Sequence, residues 1–179
     1  MHLGPRIAVV GTSGAGKTTL AARLAVLLDS PHVELDAFQH GPKWQQATVA
    51  ELRERTDRAT SGDRWVSDGN YEAVRDLTWG RADQLVWLDY ERPLIMARVI
   101  RRSVWRAVTR KPMWNDNRED WRSWADADHP IRWAWSTHGE RRAKYLGLLG
   151  QPEFAHLEVV RLRHPRETRR LLAAASTSA

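Results

Sequence analysis

Residues 11 to 18 read Gly11-Thr12-Ser13-Gly14-Ala15-Gly16-Lys17-Thr18, the pattern G-x-x-x-x-G-K-[ST] without a gap. An apolar run, Ile7-Ala8-Val9-Val10, stands before it, and an amphipathic stretch, Thr19 to Leu28, comes after it. That order predicts strand, loop and helix, the context in which this pattern binds phosphate. The glycines let the backbone curl with its N–H groups turned inward. Lys17 then reaches β- and γ-phosphate oxygens, and the Thr18 hydroxyl can ligate Mg²⁺. The helix adds its positive N-terminal end to the same anion site. An incidental Gly-rich turn would need neither the strand before it nor the helix after it. Gly11, Thr12, Ser13, Gly14, Ala15, Gly16, Lys17, Thr18 and Thr19 are therefore the candidate nucleotide-binding residues.

The 179 residues suit one α/β domain with a normal core. There is no cysteine, which excludes disulfides, thiolate catalysis and zinc-thiolate sites and fits a reducing compartment. The short polar start, Met1 to Arg6, predicts no signal peptide, and no stretch approaches the roughly 18 apolar residues of a membrane span. The expectation is a cytoplasmic protein without a membrane partner. Net charge is +6, nearly all of it from arginine, since Lys17, Lys43, Lys111 and Lys144 are the only lysines. Such a balance suits an anionic partner, whether nucleotide, phosphorylated substrate or nucleic acid.

Five short apolar runs read as parallel strands: Ile7–Val10, Val33–Leu35, Trp65–Ser67, Gln84–Leu88 and Leu157–Leu162. Helical patterns separate them. Thr19–Leu28 sets Leu20, Leu24, Leu27 and Leu28 on one face, and Thr48–Thr60 does the same with Val49, Leu52, Thr56 and Ala59. Right-handed crossovers stack such helices on both faces of a sheet. Ligands then gather at the carboxyl ends of the strands, which selects Gly11–Thr18, Asp36, Asp68 and Asp89.

From Pro93 the pattern changes. Pro93–Arg110 reads as a helix with Ile95, Val99, Val104 and Val108 facing inward. Arg98, Arg102, Arg106 and Arg110 recur at four-residue spacing with Arg101 beside them, a pattern that disfavours a helix by about 0.2–0.5 kcal/mol per pair. Lys111-Pro112 and a mixed segment holding Asp116, Glu119, Asp120, Asp126 and Asp128 come next. Helical pattern resumes near Ile131 and continues past Leu149. Six of the 10 tryptophans fall in this third of the chain. Scattered histidines without a ligand spacing predict no zinc site.

With these pieces in place, the chain resembles the nucleoside monophosphate kinase group of P-loop kinases. More narrowly, it resembles the adenylate-kinase-related, topology-modulation-protein-like branch. The resemblance rests on the loop, on Glu34-Leu35-Asp36, on Trp65-Val66-Ser67-Asp68-Gly69-Asn70-Tyr71, on Arg81-Ala82-Asp83 and on Leu162-Arg163-His164-Pro165-Arg166-Glu167. It implies a P-loop NTPase three-layer sandwich with a five-stranded parallel sheet in the order 2-3-1-4-5. It implies a single kinase domain over 1–179, with a core at about 1–97 and 137–172 and an arginine-rich helical lid at about 98–136. ATP as donor and Mg²⁺ as cofactor are implied with it. Adenylate kinases carry Phe-Pro-Arg after the Asp-Gly, whereas this chain has Asn70-Tyr71, so AMP is not implied as acceptor.

The resemblance carries roles over residue by residue. Thr18 and Asp68 are the expected Mg²⁺ residues, Asp68 as the Walker-B carboxylate. Asp36, at the end of the second strand and on the same side as Glu34, is expected to orient or deprotonate an acceptor hydroxyl. Lys17 with Arg98 and Arg102, then Arg141 and Arg142 on the returning helix, is expected to screen the charge that develops on the transferred group. Arg75 and Arg81 are candidates for the acceptor-holding arginine, and Trp44, Phe38 and Tyr71 for an acceptor pocket. The expected reaction is transfer of the ATP γ-phosphoryl group to a nucleotide, nucleoside or similar small acceptor. A P-loop ATPase with a regulatory or nucleic-acid-binding role in DNA topology modulation is the alternative, and a nucleotide-binding module with vestigial activity is a third reading.

Overall fold

Ile7, Ala8, Val9 and Val10 are all buried, because helices cover both faces of the sheet they run through. In the computed structural model, which describes residues 3–109 and 130–178, these residues form the central strand. The strands are β1 (Arg6–Gly11), β2 (His32–Glu34), β3 (Trp65–Asp68), β4 (Gln84–Leu88) and β5 (Glu158–Leu162), all parallel and in the order β2-β3-β1-β4-β5. Alternate residues feed two cores. Ile7, Val9, Val66, Val86 and Leu88 pack with Leu20, Leu24, Ile95, Val99 and Leu171 on one face. Ala8, Val10, Trp65, Leu85 and Trp87 pack with Leu35, Leu52, Val74, Tyr145 and Phe154 on the other. Each fully buried Leu, Ile or Val stabilises the fold by about 1.5–3 kcal/mol.

The helices are α1 (Lys17–Leu27), α2 (Leu35–Gln39), α3 (Val49–Ala59), α4 (Arg75–Thr78), α5 (Arg92–Thr109), α6 (Pro130–Leu149) and α7 (Pro165–Ser178). A capping box starts α3: the Thr48 side chain accepts from the Glu51 amide, and the Glu51 carboxylate accepts from the Thr48 amide. None of the helices is long and apolar enough, over the described residues, to cross a membrane.

Three expectations are corrected. The second strand ends at Glu34, and Asp36 lies in the first turn of α2, so strand alternation does not place Glu34 and Asp36 on one side. The cause is Leu35, which is buried and turns the chain under Gly69. On α5, Ile95 and Val99 are buried, but Val104 is 43% exposed and Val108 77% exposed. At about 100° per residue, Val104 falls half a turn around the helix from Ile95, and Ser103 takes the inward place instead. On α3, Leu52 and Thr56 are buried while Val49, in the first turn, is exposed. Lys111-Pro112, the acidic residues Asp116 to Asp128, Arg110 and three of the six clustered tryptophans, Trp114, Trp121 and Trp124, lie outside the described residues.

Candidate active site

The loop between β1 and α1 is built on positive backbone angles. Gly11, Gly14 and Gly16 have φ of 149°, 84° and 96°. A methyl group at Gly14 would stand 2.2 Å from Val99 Cγ2, and one at Gly11 would stand 2.7 Å from the Leu88 carbonyl oxygen. Only glycine fits at either place, because β4 and α5 press against the loop. Gly16 caps α1 in the left-handed conformation without a side-chain hydrogen bond. The first-turn amides of α1 are thus turned to the loop rather than bonded by a capping side chain.

Parallel register brings two carboxylates to the loop. Val9 is opposite Asp68 on one side, and Gly11 is opposite Leu88, the residue before Asp89, on the other. Asp68 is only 2% exposed. Its Oδ2 accepts from the Thr18 hydroxyl at 2.5 Å, and its Oδ1 lies 3.1 Å from His32 Nε2. This pair raises the His32 pKa above the ordinary histidine value, the hydrogen bond to Asp68 outweighing partial burial. Sequence reading missed His32, which sits at the start of β2, two pairs before Asp68's partner Glu34. Thr18 and Asp68 are hard oxygen donors side by side, the set Mg²⁺ uses when phosphates complete its shell.

Lys17 opens α1 and is half-buried. Its pKa lies below the ordinary lysine value, chiefly from burial and also from the nearby charges of Arg141 and Arg102; Asp36 and Asp68 act in the opposite direction. Five of the sequence-selected residues therefore share one electrostatic neighbourhood. Arg98 belongs to it as well: its Nη1 donates to the Ala15 carbonyl at 2.9 Å, and its guanidinium lies 5.0 Å from the centre of the Tyr90 ring. Arg102 Nη2 reaches the Ser13 hydroxyl at 3.4 Å. Both arginines flank the buried Ile95–Val99 face of α5, and that is why they meet the loop. Ser13, Ala15 and Gly16 provide its rim. Thr12 is buried, and Thr19 is exposed beyond it on α1.

Asp36 accepts a hydrogen bond from the Tyr71 hydroxyl at 2.7 Å. Burial, and then the charge and the hydrogen bond of Asp36, hold the Tyr71 phenol well above the ordinary tyrosine range. Asn70, read in the sequence only as a departure from adenylate kinase, has a definite place. Its Nδ2 donates to the Gly11 carbonyl at 2.7 Å, and its Oδ1 accepts from the Gly11 amide at 3.4 Å and from the Tyr145 hydroxyl at 2.7 Å. Gly69 before it has φ of 138°, and a methyl there would lie 2.7 Å from Leu35 Cβ.

Neighbouring arginines of α6 diverge. Arg141 lies close enough for its charge to pull the pKa values of Tyr145, one turn on, and of Lys17 downward. Arg142 instead turns to Asp89, its Nε donating to Oδ2 at 3.1 Å, and the same oxygen accepts from Arg161 Nε and Nη2 at 2.8 and 2.6 Å. Asp89 thus joins α6 to β5, while Arg161 stacks 4.4 Å above the Trp87 ring. His138 Nε2, bonded to the Tyr90 carbonyl at 2.9 Å, docks the same helix. Arg81 is not at the site. It bonds Asp57 and Thr60 at the opposite end of the sheet, where α3 ends and β4 starts. Arg75 pairs with Glu72 and lies over Trp79.

Comparison of the sequence with family models and with curated proteins finds no match. Solved structures do match. Shikimate kinase from Acinetobacter baumannii, in complex with shikimate, aligns with a TM-score of 0.55 at 18% identity, over 98% of this chain and 94% of that one. A provisionally assigned kinase from Chloroflexus aurantiacus J-10-fl gives 0.52 at 16% identity, over 99% and 100%. Shikimate kinase from Bacteroides thetaiotaomicron gives 0.50 at 15%, over 97% and 94%. At such identities the likeness is one of fold, and the fold is that of the P-loop kinases.

Proposed function

We propose that the protein is a Mg²⁺-ATP-dependent phosphotransferase that moves the γ-phosphoryl group of ATP to a hydroxyl or phosphate of a small-molecule acceptor. The observation that carries this is convergence. The phosphate loop, Thr18 with Asp68, Lys17, Asp36 and the arginines Arg98, Arg102 and Arg141 meet at the carboxyl end of one sheet. A loop that only bound nucleotide would not require a carboxylate and a tyrosine on its far side.

Phosphoryl transfer asks the protein for alignment and charge compensation rather than covalent chemistry. The loop amides and Lys17 hold the terminal phosphates. Lys17, already depressed in pKa by burial, loses least by meeting an anion. Thr18 and Asp68 are the residues that would hold Mg²⁺, which supplies charge neutralisation between phosphate oxygens when bound. Asp36, steadied by Tyr71, orients the acceptor hydroxyl. Arg98, Arg102 and Arg141 lie where negative charge develops on the transferred group. By this reading the segment 98–136 is a lid on a single domain, and the site works in the cytoplasm. The order of its motifs supports membership of the adenylate-kinase-related branch of the nucleoside monophosphate kinase group.

An ATP-consumption screen tests the proposal. The panel holds nucleoside monophosphates, nucleosides, sugars, shikimate and small alcohols, with Lys17→Ala as the control. Acceptor-dependent ADP release that disappears in Lys17→Ala is the expected result. Turnover that survives Lys17→Ala overturns it. Steep salt-dependent DNA binding without any acceptor phosphorylation would favour the DNA-topology alternative.

A further inference from the structure

The dipeptide Asn70-Tyr71 replaces the acceptor-binding residues of adenylate kinases, yet its two side chains are fully engaged with protein groups. They point to different halves of the site. The Asn70 carboxamide pairs with both backbone groups of Gly11, as an additional strand residue would. It thereby pins the first residue of the loop, which has φ of 149° and is pressed against Leu88. The same carboxamide oxygen accepts from Tyr145, whose phenol also feels the positive charge of Arg141, one turn before it on α6. Tyr145, Asn70 and Gly11 thus form one continuous chain of hydrogen bonds from α6 to the loop, with the charge of Arg141 beside its first member. Tyr145 is buried, so water does not compete for its hydroxyl. Tyr71 belongs to a separate path. Its hydroxyl occupies Oδ1 of Asp36 at 2.7 Å, which fixes the carboxylate's rotation and leaves Oδ2 for another donor.

We infer that Asn70 and Tyr71 are positioning residues that set the two substrates independently: Asn70, braced by Tyr145 of α6, holds the loop for ATP, and Tyr71 holds Asp36 for the acceptor. The inference rests on the kinase reading above. No atom of either residue needs to touch substrate for this role. Two consecutive residues after Asp68 therefore register donor and acceptor against the same strand end, which is what in-line transfer requires.

The test uses two near-isosteric variants of the full chain, Tyr145→Phe and Tyr71→Phe. Each removes one hydroxyl and keeps the ring, and Asn70→Ala serves as a third. Mg²⁺-ATP affinity is read by titration calorimetry. Steady-state constants are read with whichever acceptor the screen identifies. Tyr145→Phe and Asn70→Ala are expected to raise the Kd for Mg²⁺-ATP about two- to twelvefold, the range of one lost neutral hydrogen bond, and to leave the acceptor KM alone. Tyr71→Phe is expected to leave the ATP Kd unchanged while kcat falls about tenfold or more, since the misplaced group acts only in the transition state. Melting temperatures separate these effects from unfolding. If Asn70→Ala fails to fold, the two phenylalanine variants still give the split. Both Phe variants shifting donor and acceptor constants together, or neither shifting any, overturns the inference. Wild-type protein that binds Mg²⁺-ATP but phosphorylates nothing in the panel instead overturns the kinase reading; calorimetry on Tyr145→Phe then still decides the donor half.

Discussion

The two ends of the sheet carry similar residues and use them differently. At the amino end, cations stop on carboxylates. Arg6 grips Asp83 with Nε and Nη2 at 3.1 and 2.6 Å, Arg81 meets Asp57 at 2.6 Å, and the Gln84 amide donates to Glu158 at 2.7 Å. At the carboxyl end, Arg98 stops on a backbone carbonyl and an aromatic ring, Arg102 reaches a serine hydroxyl, and Lys17 sits in surroundings that disfavour its charge. Two of the carboxylates there are taken by neutral or weakly basic partners, Asp68 by Thr18 and His32 and Asp36 by Tyr71, whereas Asp89 pairs with Arg142 and Arg161 and ties α6 to β5. Paired charges hold strands together. A cation oriented by neutral groups, as Arg98 is, keeps its charge directed at an anion.

This contrast predicts that the carboxyl end carries activity and the amino end carries stability. The largest effect falls on Lys17→Ala, where kcat should drop about 10²–10³-fold as an electrostatic stabiliser is lost. Its Tm should hold or rise, because a charge disfavoured by burial is removed. A lower Tm would mean that Lys17 is a structural cation like those at the other end. Gly14→Ala comes next. Its methyl would stand 2.2 Å from Val99 Cγ2 at φ of 84°, so the loop must shift, at a cost of about 1–3 kcal/mol. Urea melts with and without Mg²⁺-ATP should show lower stability and less stabilisation by the nucleotide.

Asp83→Asn tests the amino end. The Arg6 side-chain hydrogen bonds hold the Asp83 carboxyl below the ordinary carboxylate value. Because the folded pKa is depressed, the stabilisation is present above the ordinary value and is lost as pH falls through the folded one. The Tm difference between wild type and Asp83→Asn should therefore be open at neutral pH and closed in strong acid, with activity at neutral pH unchanged. A difference that persists in acid would locate the effect in packing instead. The smallest change is expected from Arg81→Ala, about 0.2–1 kcal/mol for a partly exposed pair. A kcat change in this variant would restore Arg81 to the acceptor site and break the comparison.

Much of the donor half is legible in the chain alone. The loop's glycines, Lys17 and Thr18 are consecutive, so their chemistry is local and a motif suffices. The strands can be read because buried parallel strands are short, continuous apolar runs. Asp68 is found by its position at a strand end. Asp36 is found on an argument that holds only by half: it is near the site, but in the first turn of α2 rather than at the end of β2. The face of α5 is within reach of periodicity, since the inward spacing is Ile95, Val99 and Ser103, not Val104 and Val108. Asn70, Tyr145 and His32 are out of reach in a different way. Each acts on a partner far along the chain, Gly11, Asn70 and Asp68 respectively, and no spacing rule ties a side chain on one element to a group on another. Arg141 and Tyr145 alone leave a faint signal, their separation of one helical turn.

By itself, then, the sequence determined a parallel α/β sheet with a phosphate-loop pattern between its first strand and first helix, because the loop's residues and the strands' burial are written in neighbouring residues. Sequence reading named Arg98, Arg102, Arg141 and Arg142 together, and only the tertiary structure parted them, laying Arg98 and Arg102 on the loop and Arg142 on Asp89, since charge is the same everywhere in the sequence and packing gives it direction. The tertiary structure also decided the partners of the residues after Asp68. Asn70 and Tyr71 read as a missing acceptor motif until the fold laid one against Gly11 and the other against Asp36.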